Sequence, residues 1–206
     1  MITVVDYGMG NLASVTNAIK RYTKDVRITS SPDDIDSSDK LVLPGVGAFR
    51  DAYKEIESRR LREPIINFIN SGKPFLGICL GLQLLFAKSY EDGEHKGFDV
   101  IKGEVIAFDK AAGLKIPHMG WNSINPNPNG NAKDCPLFKG VSADTYMYFV
   151  HSYYVVPDDS NLATLTTEYG VNFCSMIWKD NIFAMQFHPE KSQDEGLKII
   201  ENFVSL

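Results

Sequence analysis

The 206-residue sequence has little cysteine and little histidine, three and four residues respectively, and no surplus of positive charge. Cys79, Cys135 and Cys174 are odd in number and lack framework spacing, which argues against a disulfide-stapled secreted scaffold and for a reducing compartment. No Cys-x-x-Cys or His-x-x-x-His pair occurs, so neither a metal nor another cofactor is expected. No stretch approaches the ~20 apolar residues of a membrane span, and no basic leader opens the sequence. The expected location is therefore the cytoplasm, with no membrane partner. Lysine plus arginine total 21 against 26 acidic residues, a net charge of −5. No aromatic-interleaved basic tract appears, which removes nucleic acid as an expected partner. Repeats, low-complexity tracts and linkers are also missing, and a single domain over residues 1–206 is expected.

What is present is a chain that is 44% hydrophobic, long enough to bury a core without staples. Ile2 to Val5 reads as a strand, Gly8 to Asn11 as a turn, and Leu12, Val15, Ile19 and Tyr22 recur at helical spacing. Strands around Val26 to Thr29, Leu41 to Leu43 and Phe75 to Ile78, with a helical region from Ala52 to Asn70, continue the alternation. Such βα units predict an α/β fold with a mostly parallel sheet covered by helices on both faces. Beyond a helix after Cys79 the pattern turns β-rich, with runs at Val105 to Phe108, Met147 to Val156, Leu162 to Thr167, Cys174 to Trp178 and Ile182 to Phe187. Asp180-Asn181 reads as a hairpin turn, Pro126 to Asn131 as a surface loop and Gly196 to Val204 as a closing helix.

In sheets of this kind, chemistry collects beyond the carboxyl ends of the parallel strands. Gly77-Ile78-Cys79-Leu80-Gly81 stands at one such end, where glycines two residues either side of Cys79 relieve crowding in a sharp strand-to-helix turn. Backbone N–H groups at the following helix end would favour a thiolate. The plainer reading of Cys79 is a buried structural cysteine. A thiol nucleophile needs a base oriented by a third group, and His188 and Glu190, two apart in a segment expected to be extended, can supply both. Standing alone, His-Pro-Glu is also merely a polar turn. Pro44-Gly45-Val46-Gly47 can turn an N–H toward a tetrahedral oxyanion, with the Leu80 N–H as second donor. His118 and His151 read as substrate or partner contacts or, more commonly, hydrogen-bonded structural residues, and His95 as solvated. Gly8-Met9-Gly10-Asn11-Leu12-Ala13 fits a loose dinucleotide pattern, but no acidic residue ends the second strand to hold a ribose.

Together, the segments at 44–49, 77–83 and 188–192 resemble the triad class, class I, of glutamine amidotransferases. Asp-Tyr-Gly-Met-Gly-Asn-Leu at 6–12, Pro-His-Met-Gly-Trp-Asn at 117–122 and Tyr-Phe-Val-His-Ser-Tyr at 148–153 are similar, within that class, to the glutaminase subunits of imidazole glycerol phosphate synthases. The resemblance implies hydrolysis of glutamine to glutamate and ammonia through a glutamyl thioester, with Cys79 as nucleophile, His188 as base and then acid, and Glu190 orienting His188. Gly45, Val46, Gly47 and Leu80 would form the oxyanion hole. Gln83, Glu91, Ser152 and Tyr153 would hold the glutamine. Asn11, Trp121, Asn122, Tyr148 and Lys191 would face a (β/α)₈ cyclase subunit that takes the ammonia, in histidine biosynthesis. Paralogous subunits that supply a sugar-modifying synthase share these catalytic motifs and are the alternative. The oxyanion loop is expected to be unproductive until a partner binds.

Overall fold

The computed structural model describes residues 1–109, 113–142 and 145–206. Its frame follows from short strands, the inner ones buried on both faces. β1 (Ile2–Val5), β2 (Val26–Thr29), β3 (Lys40–Gly45) and β4 (Phe75–Cys79) pair in parallel in the order β2-β1-β3-β4. Successive side chains of a strand point to opposite faces. Leu41, Leu43 and Phe75 accordingly join one core layer, while Val42, Leu76 and Ile78 join the other. The first layer is covered by α3 (Phe49–Ser58) and α4 (Arg62–Asn70), through Phe49, Ala52, Ile56, Ile65 and Phe68. The second is covered by α1 (Leu12–Lys20) and α6 (Gln193–Ser205), through Val15, Ile19, Ile199 and Phe203. A short α2 (Pro32–Asp36) links β2 to β3.

The chain then goes through α5 (Leu80–Gln83), β5 (Phe86–Ser89), β6 (His95–Lys96) and β7 (Ile101–Ala107). β8 (His118–Ser123), β9 (Asn125–Pro126), β10 (Tyr146–His151), β11 (Tyr153–Pro157), β12 (Ala163–Glu168), β13 (Asn172–Lys179) and β14 (Ile182–Met185) follow. β14 returns to the middle of the molecule and pairs in parallel with β4, Met185 opposite Ile78. β13 runs antiparallel to β14 and leads into the second half of a twelve-stranded sheet, antiparallel except where β5 pairs in parallel with β7. β8 and β10 form a separate two-stranded antiparallel ribbon.

Several boundaries differ from expectation. The helical region at 52–70 is two helices, because Arg60 adopts φ 58 and breaks the register, and Pro64 fits the first turn of α4, where no N–H is needed. The helix after Cys79 is a single turn; Phe86 enters β5 and pairs with Ile101 of β7. The run 147–156 splits at Ser152 into β10 and β11, which belong to different sheets. Trp121 lies in β8. His95 is in β6 and partly exposed, with its Nε2 buried and lacking a hydrogen-bond partner among the described residues.

The elbow depends on close backbone approach. A Cβ on Gly81 would collide with the Leu43 carbonyl oxygen, and one on Gly77 would stand 2.9 Å from the Gly81 oxygen. Gly81→Ala is therefore expected to cost about 1–3 kcal/mol of folding stability, to be read from urea unfolding midpoints; an unchanged midpoint would show that the turn relaxes without strain.

Candidate active site

Cys79 ends β4 and precedes α5 with φ 54 and ψ −106, a left-handed-side conformation that costs a non-glycine residue about 1–3 kcal/mol. The strain turns the side chain out of the strand. Its Sγ accepts a hydrogen bond from Gln186 Nε2 at 3.5 Å and lies 4.0 Å from the Val150 carbonyl oxygen. Cys135 and Cys174 are buried as Cys79 is, and burial pushes their thiols up to about 11 and about 12.

His188 arrives through the β14–β4 pairing, three residues past Met185. Its backbone is pinned by His188 N–H donating to Tyr148 O at 2.9 Å and by Ser192 Oγ donating to His188 O at 2.6 Å. Pro189–Lys191 is a 3₁₀ turn. The segment is thus not the extended one expected, yet it brings Glu190 Oε1 to 2.9 Å from His188 Nδ1, with both side chains nearly fully buried. The carboxylate fixes the tautomer: Nδ1–H donates to Glu190. Nε2 is buried and has no hydrogen-bond partner among the described residues. Burial opposes a charged ring, but Cys79 and Glu190 beside it outweigh that cost and raise the pKa to about 10.

A cavity of about 240 Å³ opens over Cys79 and is lined by Val46, Gly47, Leu80, Gln83, Glu91, Pro117, Val150, His151, Ser152 and Tyr153. It is small beside the ~300–1,000 Å³ of drug-sized sites and suits a ligand of amino-acid size. Val46, Gly47 and Leu80 are on its wall, and strand register sets Gly45 opposite Cys79. Beneath them lies Tyr7, fully buried, whose hydroxyl has no hydrogen-bond partner among the described residues and would collide with a Cβ on Gly45. Burial, then the nearness of Cys79, raises the Tyr7 pKa. Glu91 Oε2 accepts a hydrogen bond from Phe49 N–H at 2.6 Å; burial, partly offset by that bond, shifts its carboxyl upward. Gln83 is tied into the protein itself, its Nε2 donating to Tyr153 O at 3.0 Å and to Gln186 Oε1 at 3.1 Å.

Three contributors escaped the sequence reading: Gln186, Val150 and Pro117. Gln186 looks like an ordinary residue at a strand end, and only the fold puts its amide on the Cys79 sulfur. His118 and His151 are both core residues, their rings 5.0 Å apart within a cluster that includes Phe108, Phe149 and Phe173. Burial lowers the first to about 4 and the second to about 3, so both are neutral at pH 7.

The residues expected to face a partner fall into two groups. Trp121 is 46% exposed and meets Tyr148 edge-on at 6.2 Å, and the Lys191 ammonium stands 5.7 Å from the Tyr148 ring centroid. Met119 and Tyr146, on the same ribbon, are also exposed. Asn11 is exposed but caps α1, accepting from Ser14 N–H at 3.2 Å. Asn122 turns inward, donating to Glu168 O at 2.9 Å. Among the described residues, no group of three or more His, Cys, Asp or Glu is placed to hold a metal.

Residues 3–206 match the family model "Glutamine amidotransferase class-I". The chain belongs to that family. Within it, the chain is 48% identical to imidazole glycerol phosphate synthase subunit HisH of Syntrophotalea carbinolica, over 98% of each chain. It is 50% identical to subunit HisH 1 of Methanococcus maripaludis over the full length of both. It therefore falls among the HisH-type amidotransferases. Of solved structures, a glutamine amidotransferase is similar with TM-score 0.74 at 14% identity, covering 100% of both chains. A chain of PurLQS from Thermotoga maritima has TM-score 0.72 at 18% identity, covering 99% of this chain and 96% of its own. At such identities these two similarities carry the fold alone.

Two outcomes follow for this amidotransferase. Tyr7→Phe removes an unpartnered buried hydroxyl, so stability is expected to hold or rise by up to about 1 kcal/mol; a clear loss in chemical denaturation would reveal a partner for the hydroxyl. His118 and His151 stay neutral in the fold while the unfolded chain binds protons below pH ~6.5. Stability is thus fully present above pH ~6.5 and is lost as pH falls toward about 4, by up to about 1.4 kcal/mol per pH unit per histidine. His118→Phe should flatten that slope in melts across the window, and an unaltered slope would contradict the assignment.

Proposed function

We propose that this chain hydrolyses glutamine to glutamate and ammonia and delivers the ammonia to the cyclase subunit of an imidazole glycerol phosphate synthase, for histidine biosynthesis. The observation that carries the chemistry is the meeting of Cys79, strained at an elbow, with His188, whose Nδ1 is committed to Glu190 while its Nε2 remains available for the thiol proton.

Cys79 Sγ attacks the side-chain amide carbon as His188 Nε2 takes the thiol proton. The oxyanion is met by N–H groups of the Gly45-Val46-Gly47 turn and of Leu80, which flank the same cavity. His188 gives the proton to the leaving nitrogen, ammonia departs and a glutamyl thioester remains. Water, deprotonated by His188, then attacks the thioester; glutamate leaves and the thiol is restored. Glu190 stabilises the imidazolium in both halves and holds its tautomer. Glu91, on the cavity wall, offers a carboxylate to the ammonium of an amino-acid ligand, and the Ser152–Tyr153 stretch lines the same cavity. Cyclase docking on the β8–β10 ribbon is supported by its exposed Met119, Trp121 and Tyr146 beside Tyr148 and Lys191. Asn11, at the exposed start of α1, is a further contact expected with that partner. The chain works in one domain and in the cytoplasm on this reading.

Cys79→Ala is expected to lower glutamine hydrolysis by more than about 10³-fold while the complex still uses added ammonia; loss of both would assign Cys79 to structure. Glu190→Gln should lower kcat by about 10²–10⁴-fold, measured as glutamate release. A wild-type rate that does not rise with the cyclase and its nucleotide would move the ammonia to another acceptor.

A further inference from the structure

The four residues Asn122, His118, His151 and Tyr153 form an unbroken polar chain. Asn122 Nδ2 is 3.2 Å from His118 Nε2, His118 Nδ1 is 2.9 Å from His151 Nε2, and His151 Nδ1 is 2.9 Å from Tyr153 O. Its polarity is fixed from both ends. Tyr153 O can only accept, so His151 carries its proton on Nδ1 and presents a lone pair at Nε2. His118 must then donate from Nδ1 and accept at Nε2. The Asn122 amide is oriented independently, since Oδ1 accepts from Ser123 N–H at 2.8 Å while Nδ2 donates to Glu168 O. It therefore offers His118 the donor that the polar chain requires.

The hydrogen-bonded series does not stop at Tyr153. The same carbonyl oxygen accepts from Gln83 Nε2, which also donates to Gln186 Oε1, and Gln186 Nε2 donates to Cys79 Sγ. One end thus lies in β8 next to exposed Trp121, and the other on the nucleophile. We propose that this series is a positioning device, in which a partner docked on the outer face of the β8–β10 ribbon sets the placement of the pocket wall and of Cys79 through His118, His151 and Gln186. This inference rests on the glutaminase-subunit reading and names how that site is regulated.

Two features make the ribbon suited to the task. It is not paired to the main sheet, and His118 and His151 are opposite each other in its register. Its inward side chains carry the polar chain while Met119, Trp121 and Tyr146 point out. The His118 ring is also clamped, stacked on Tyr169 at 3.9 Å and on Phe149 at 4.9 Å. A shift of β8 is then passed to His151 rather than absorbed by ring rotation. Closely packed networks of this kind have discrete arrangements, and coupling between two sites commonly amounts to about 5–150-fold.

The test uses the full chain with the cyclase and its nucleotide ligand, measuring glutamate release with and without them, the KM for glutamine, and the Kd of the complex. His118→Phe keeps the ring stack and removes both hydrogen bonds; His118→Asn restores a donor toward His151. Wild type must first be stimulated, and if it is not, the cyclase is not the partner and this inference falls with that part of the reading. With wild type stimulated, His118→Phe is expected to lose about tenfold of the stimulation factor through kcat, at unchanged KM and Kd, and His118→Asn to recover part of it. A stimulation factor in His118→Phe equal to wild type overturns the proposal alone. So does an equal loss of basal and stimulated rates, which is what a purely structural histidine predicts. Should His118→Phe fail to fold, His118→Leu, read against His118→Asn, gives the same comparison.

Discussion

Everything at the site depends on how closely α5 lies against the ends of β3 and β4. Cys79 holds a backbone conformation that costs energy, and it does so because the chain on either side has no room to go elsewhere: Gly81 is packed on the Leu43 carbonyl and Gly77 on Gly81. The core layers behind those strands supply the compensating burial. From that one contact follow the place of Cys79 on the cavity wall, the position of Leu80 after it and the placement of Gly45 across the register. A glycine pair is thereby converted into a catalytic geometry.

The electrostatics are arranged by separation as much as by contact. The histidine at the site is held by a carboxylate and favours its proton, whereas the two histidines behind the pocket are stripped of charge by burial. His151 is close enough to His188 for a charge on one to disfavour a charge on the other. Keeping His118 and His151 neutral therefore protects the imidazolium that the reaction forms. It also leaves them with one lone pair and one N–H each, which a directional hydrogen-bond series needs.

Much of this was legible in the sequence because the relevant signals are local. Short apolar runs marked β1 to β4, helical spacing marked α1, and Gly-x-Cys-x-Gly marked the elbow. The proximity of His188 and Glu190 could be read from a two-residue spacing, although a 3₁₀ turn produces it. What was not legible is what tertiary pairing decides. Nothing in residues 147–156 announces that Ser152 is the point where one strand leaves the ribbon and another enters the main sheet. Leu84-Leu85-Phe86 is as apolar as a helix face, and only the ladder with β7 makes a strand of its end. Gln186 and Asn122 are ordinary amides in sequence, and their importance lies wholly in what other segments bring to them.

The insertion of β14 between β4 and β13 gives the molecule an order of assembly. The first half of the chain can pair β1 to β4 and set Cys79 in its turn, but His188 comes into reach only when a strand made about a hundred residues later is admitted to the centre of the sheet. Such long-range pairing is slow to form. Until it does, the chain holds a thiol with no base beside it, so the most reactive residue of the finished enzyme is idle throughout its own folding.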